Sequence, residues 1–168
     1  MNPGVTGQPG PVALPAHTTG RPLSSSTIAQ LVGSSTAHAA ARPGHDTAAI
    51  KAVLAQARQR EPGLSLLMLS TADGRAIAED SSLPIDGRRL AAMANSFLTL
   101  GETVSRELAL DKAEYATICT PLGNVVLIRI LADSPLTLTA VADSALNLAV
   151  LLFHARECGA RLGAVLNG

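Results

Sequence analysis

The sequence predicts an α+β domain of order α-β-β-α-β-β-β-α, with a single five-stranded antiparallel sheet and helices on both faces. Three observations carry this. Apolar residues switch between helical spacing and alternation, turn residues divide the alternating runs closely enough for hairpins, and three long helical stretches suffice to cover both faces of five strands. The 168 residues amount to one domain's worth of chain.

Asp46 is positioned to accept from free N–H groups of a first helical turn, after which Ala49, Ile50, Val53, Leu54 and Ala57 recur at helical spacing until Pro62-Gly63. Leu64 to Leu69 is an almost wholly apolar run that reads as a central strand. Asp73-Gly74 supplies a hairpin turn, and Arg75 to Glu79 returns as a shorter, half-polar strand of the kind found nearer a sheet edge. Asp86 caps a long second helix on which Leu90, Met93, Ala94, Phe97, Gly101, Val104 and Leu108 form one stripe, expected to face the core. After Leu110 the period becomes two. Tyr115 to Thr120, a Pro121-Leu122-Gly123-Asn124 turn and Val125 to Leu131 read as a hairpin, with Val126, Ile128 and Ile130 on one face and Arg129 interrupting the other. A turn at Asp133-Ser134-Pro135 precedes a strand from Leu136 to Ala142, and Ser144 is expected to cap a last helix from Ala145 to about Leu162.

Composition narrows the function. Thirteen Lys plus Arg balance thirteen Asp plus Glu, no basic run occurs, and the chain has two Phe, one Tyr and no Trp. Neither the basic surface that displaces counterions from phosphates nor the aromatic platform that stacks bases is present, which argues against a nucleic-acid partner. Cys119 and Cys158 match no zinc-ligand spacing and read as reduced thiols. Met1-Asn2-Pro3-Gly4 opens no secretory leader, and Leu136 to Phe153 is too short and too polar to span a bilayer, so a cytoplasmic protein without membrane insertion is expected.

Residues 1–45 hold six of the ten prolines, six of the fourteen glycines and no carboxylate. Such a segment buries too little apolar surface to offset its chain entropy and reads as a disordered tail preceding a domain at 46–165. Within it, Thr27 to Val32 forms a short apolar island, either inert linker or a docking turn.

Catalytic and cofactor signals are weak throughout. His17, His38 and His45 lie in or beside the tail, and only His154 lies in the folded part, one helical turn before Cys158. That pair lacks an oxyanion site and an orienting third group, with Arg156 and Glu157 expected to project elsewhere. No phosphate-binding glycine loop occurs, and Asp73, Glu79, Asp80 and Asp86 match no calcium loop, so no cofactor and no metal are expected. Partner contact is the remaining chemistry. On the second helix Ala92, Ser96, Thr99 and Thr103 form a row of small side chains, with Leu98 and Leu100 outside the main stripe. Arg88 and Arg89 occupy the end of the helix that disfavours cations, where either Asp86 compensates them or they meet an acidic partner surface, one that Arg106 would extend about five turns away.

The order of elements, with Pro62-Gly63-Leu64 before the first strand, Ser70-Thr71-Ala72-Asp73-Gly74-Arg75 at the first turn and Ala145-Leu146-Asn147-Leu148 before the last helix, resembles the roadblock family of dynein light-chain-like proteins over residues 46–165. Leu64-Ser65 and Ala149 stand where that family often has glycine. The resemblance implies a homodimer built by joining edge strands and second helices. It also implies a non-enzymatic regulator or scaffold for small Ras-like GTPases, acting on the GTPase's own active site. The alternative is a ligand-sensing or scaffolding module of a signalling complex without a GTPase.

Overall fold

The computed structural model describes residues 46–168. The expected tail, its Thr27 to Val32 island, His17, His38 and His45 lie outside them. Along the described chain run α1 (Thr47–Arg60), β1 (Leu64–Thr71), β2 (Ala76–Ser81), α2 (Gly87–Glu107), β3 (Tyr115–Thr120), β4 (Gly123–Leu131), β5 (Pro135–Asp143) and α3 (Leu148–Asn167). The strands form one antiparallel sheet in the order β2-β1-β5-β4-β3, which leaves β2 and β3 at its edges. The α+β order and the single sheet are as the sequence predicts.

Local chemistry sets the boundaries. Asp46 accepts from the N–H groups of Ala48 and Ala49, both at 3.0 Å, and so starts α1. Gly74 closes the β1–β2 hairpin at φ 81°, and a Cβ there would lie 2.8 Å from the Cα of Ala92, so both backbone angle and space require glycine. The last helix starts later than expected. Asp143 Oδ1 accepts from Ala145 N–H at 2.9 Å and holds that residue in a turn, while Asn147, not Ser144, caps α3 by accepting from Val150 N–H at 2.9 Å.

Helices α1 and α3 pack on one sheet face, with Ile50, Leu54, Leu151, Ala155 and Leu162 meeting Leu67, Leu69, Val126, Leu136 and Leu138. Among the described residues, helix α2 lies alone on the other face. The alternation along β1 divides its side chains between the two layers, Leu67 and Leu69 toward α1 and α3, Leu66 and Met68 toward α2.

The inward face of α2 is not the stripe read from the sequence. Ala91, Ala94, Asn95 and Leu98 are buried, whereas Met93, Phe97, Val104 and Leu108 are exposed. The sheet explains the rotation, because beneath α2 it presents Ser70, Thr137 and Arg129, which require polar partners. Arg129, whose side chain is 9% exposed, donates to Glu102 at 3.0 Å, to Thr137 Oγ1 at 2.8 Å and to Asn95 Oδ1 at 3.3 Å. Thr137 Oγ1 donates to Asn95 Oδ1 at 2.6 Å, and Asn95 Nδ2 donates to Ser70 Oγ at 2.9 Å. Thr139, one pleat further along β5, leaves its buried Oγ1 without a hydrogen-bond partner among the described residues.

Replacing Arg129 alone strands the half-buried Glu102 carboxylate and takes one donor each from Asn95 and Thr137, which keep their bond to each other. Arg129→Met is expected to cost about 3 kcal/mol in urea unfolding, and adding Glu102→Leu to recover a good part of it; equal losses in the single and double variants would contradict the network.

Candidate functional site

The candidate site is the outer surface of α2 with its two ends. With successive residues turned about 100°, the buried line Ala91-Ala94-Asn95-Leu98 leaves two flanks. On one, Met93, Phe97, Leu100, Val104 and Leu108 form a continuous exposed apolar band, with Leu100 at 61% and Leu108 at 64% exposure. On the other lie Arg88, Ala92, Ser96, Thr99, Thr103 and Arg106. The band runs toward β3, since Ala94 and Leu98 pack with Leu127, Ala116 and Val125. The polar flank meets the Asp73-Gly74 turn, where Ala72, Gly74, Ala92, Ser96 and Thr99 line a shallow cleft.

Of the expected contact residues, Arg88, Arg89, Ala92, Ser96, Thr99 and Arg106 are exposed and Thr103 is half-buried. Leu98 is not a surface residue. It is fully buried beneath the helix, because α2 is rotated to put Asn95 on the polar network. Ser96 and Thr103 donate their hydroxyls to Ala92 and Thr99 carbonyls one turn back, both at 2.9 Å, and Arg106 reaches Thr103 Oγ1 at 3.3 Å. At the start of α2, Asp86 takes the backbone N–H groups of Arg88 and Arg89 at 3.1 and 3.2 Å. Neither guanidinium has an ion pair among the described residues. Arg75, from the β1–β2 turn, joins them around a cleft of about 760 Å³ that Asp73 and Asp86 also line. The sequence reading missed Arg75 because the hairpin that folds it back beside α2 is a tertiary contact. A second cleft of about 390 Å³ lies past the other end of α2, lined by the 111–114 segment, Ile128, Arg129, Leu131 and Arg156.

The edge strands differ in chemistry. β2 carries Glu79 and Asp80, and Asp80 pairs with Arg58 from α1. β3 has no charged residue, and Tyr115, Ile118, Cys119 and Thr120 are exposed along it. A charged edge resists pairing with another chain; an uncharged one invites it.

The His154 and Cys158 pair forms no catalytic arrangement. His154 places Nε2 3.4 Å from Glu61 and Nδ1 3.8 Å from Glu157, so Glu157 faces this ring, contrary to its expected direction, and no hydrogen bond joins His154 to Cys158. Burial pushes the Cys158 thiol from 9.0 up to about 12, against the pull of the Arg161 guanidinium. Among the described residues no cluster of His, Cys, Asp and Glu is placed to hold a metal ion, and no helix is long and apolar enough to cross a membrane.

The raised thiol has a pH consequence. The folded chain keeps Cys158 neutral while the unfolded chain ionises above 9.0, so its stabilisation is whole below that value and is lost as pH rises toward 12. Urea midpoints at about pH 8 and about pH 10.5 are expected to fall further for the native chain than for Cys158→Ala. Iodoacetamide is expected to modify Cys119 and spare Cys158 in the folded protein.

No protein-family model matches the sequence, and no curated relative does. Solved structures do. Myxococcus xanthus MglB superposes with a TM-score of 0.63 at 12% identity, covering 71% of this chain and 89% of that one. The gliding protein MglB of Thermus thermophilus gives 0.62 at 15% identity, covering 74% and 92%. A Roadblock/LC7 domain from Streptomyces avermitilis gives 0.61 at 17% identity, covering 69% and 96%. Each superposition has a TM-score above 0.6 and covers about nine-tenths or more of the other chain: the chain has the roadblock fold.

Proposed function

We propose that the chain is a non-enzymatic homodimer that binds a small Ras-like GTPase and modulates its nucleotide state or position. The observation that carries this reading is the reversed amphipathicity of α2. Its outward band of Met93, Phe97, Leu100, Val104 and Leu108 is larger and more apolar than its inward line of Ala91, Ala94, Asn95 and Leu98. An exposed apolar surface of this extent marks an interaction face.

A second copy fits it. Two antiparallel α2 helices centred near Leu98 and Thr99 set Leu90 opposite Leu108, Met93 opposite Val104 and Phe97 beside Leu100, a pattern that reads the same from either protomer. Gly101 adds room at the middle, since nothing lies within 4 Å of where its Cβ would be. The uncharged β3 edge borders the band and offers backbone pairing to the same copy.

With the band occupied, the opposite flank of α2 stays free for the GTPase. Arg75, Arg88 and Arg89 lie at one end of it, and the small side chains of Ala92, Ser96 and Thr99 permit close approach. The chain carries no phosphate-binding loop of its own, so any acceleration of hydrolysis arises by positioning the GTPase's catalytic groups, which suffices for phosphoryl transfer. A sensor of apolar ligands is less well supported: the clefts at the two ends of α2 each have five charged lining residues.

Phe97→Asp is expected to turn a sedimenting dimer into a folded monomer; a dimer of undiminished affinity would count against the α2 interface. Capture from a lysate with a non-hydrolysable GTP analogue or with GDP is expected to retain a small GTPase in one nucleotide state. Arg88→Ala with Arg89→Ala is expected to weaken that retention about tenfold or more with little change in unfolding midpoint, since both side chains are exposed and unpaired. Retention that is equal in both nucleotide states and untouched by the arginine changes would contradict the reading.

A further inference from the structure

We propose that Leu122, at the tip of the β3–β4 turn, docks in the dimer against the 111–114 segment of the other protomer and closes the cleft that this segment leaves beside β4. The inference rests on the homodimer reading and deepens it, because it names a contact outside both the α2 band and the β3 ladder.

The cleft arises from unequal strand lengths. The β3–β4 ladder ends at Tyr115 opposite Ile128, whereas β4 remains paired with β5 as far as Leu131 opposite Pro135. From Arg129 to Leu131 the outer edge of β4 therefore faces no strand among the described residues. The 111–114 segment leaves the sheet there and encloses about 390 Å³, with Ala113, Ile128 and Leu131 as apolar wall and Lys112, Glu114 and Arg156 as charged rim. Glu114 and Arg156 pair at 2.8 Å, which neutralises part of that rim.

Leu122 has the complementary defect. It is 86% exposed, more than any other large hydrophobic residue described. It follows Pro121 in a two-residue turn without a positive φ, a position open to most residues where leucine contributes nothing to the geometry. Its own chain leaves it uncovered.

Strand arithmetic brings the two together. Residues directly opposite in an antiparallel ladder share a sheet face, so a two-fold axis through the centre of β3 sets either Thr117 opposite Thr117 of the partner subunit or Ile118 opposite Ile118 of the partner subunit. Beyond the ladder the first register brings Lys112, and the second Glu114, to the partner's Leu122. The partner's Leu122 meets the 111–114 segment in either register. The two-fold repeats the contact at both ends of the joined sheet.

Covalent trapping tests this. In a Cys119→Ser background, Leu122→Cys is combined in turn with Lys112→Cys, Ala113→Cys or Glu114→Cys and mildly oxidised. Within one chain, positions 113 and 122 sit beyond opposite ends of β3, about 30 Å apart at roughly 3.3 Å per residue, so they cannot bridge each other. A covalent dimer from at least one pair, absent from the single-cysteine variants, is the expected result. Leu122→Ser is expected to raise the dimer dissociation constant about tenfold and, at concentrations where the chain is monomeric, to leave the unfolding midpoint unchanged. A wild-type dimer that none of the three pairs traps, and that Leu122→Ser does not weaken, overturns this contact and leaves the homodimer standing. A wild-type chain that sediments as a monomer at tens of micromolar overturns both.

Discussion

The orientation of α2 depends on the hydrogen-bonded cluster of Arg129, Glu102, Asn95, Thr137 and Ser70. Hydrophobicity alone would turn the helix the other way, burying Phe97 and Met93. That rotation would leave Arg129 and Thr137 facing an apolar band and carry Asn95 and Glu102 off their partners. Leaving buried polar groups unpaired costs about 1–3 kcal/mol each, and more for a charge. Three paired polar positions on the sheet therefore outweigh the gain from a larger buried face, and α2 is left with its most apolar face outward.

That exposed band organises the rest of the surface. It runs toward β3, the edge without charges, while the other edge is blunted by Glu79 and by Asp80 held on Arg58. The asymmetry favours β3 over β2 as the edge for the proposed self-association. Arg88, with Arg75 beside it, lies on the side the band does not use, while Arg89 borders Leu90 and Met93, so in the proposed assembly one helix separates the surface for a second copy from the surface for an acidic partner.

Most of the fold is legible in the sequence because its signals are local. The helix caps at Asp46 and Asp86, the Asp73-Gly74 hairpin and the apolar runs of β1, β4 and β5 each act over a few residues. The exception is the inward face of α2. Periodicity identifies the most apolar stripe, but only the side chains across the interface decide whether that stripe is core, and Ser70, Thr137 and Arg129 come from three different strands. For the same reason Leu98 reads as a surface residue and is buried, and Leu100 reads as lying outside the apolar stripe and belongs to the exposed band. The late start of α3 has a smaller cause: Asp143 competes for the N–H of Ala145, a choice that turn chemistry permits and that the Ser144 signal hides.

The central claim is that a second copy covers the outer band of α2 and the edge of β3. Amide hydrogen exchange measured across a dilution series tests it most directly. Slower exchange is expected at high concentration along the 115–120 edge and across α2, with α1, β1 and β2 unchanged. Exchange rates that are the same at every concentration, or protection gained at β2, would contradict it.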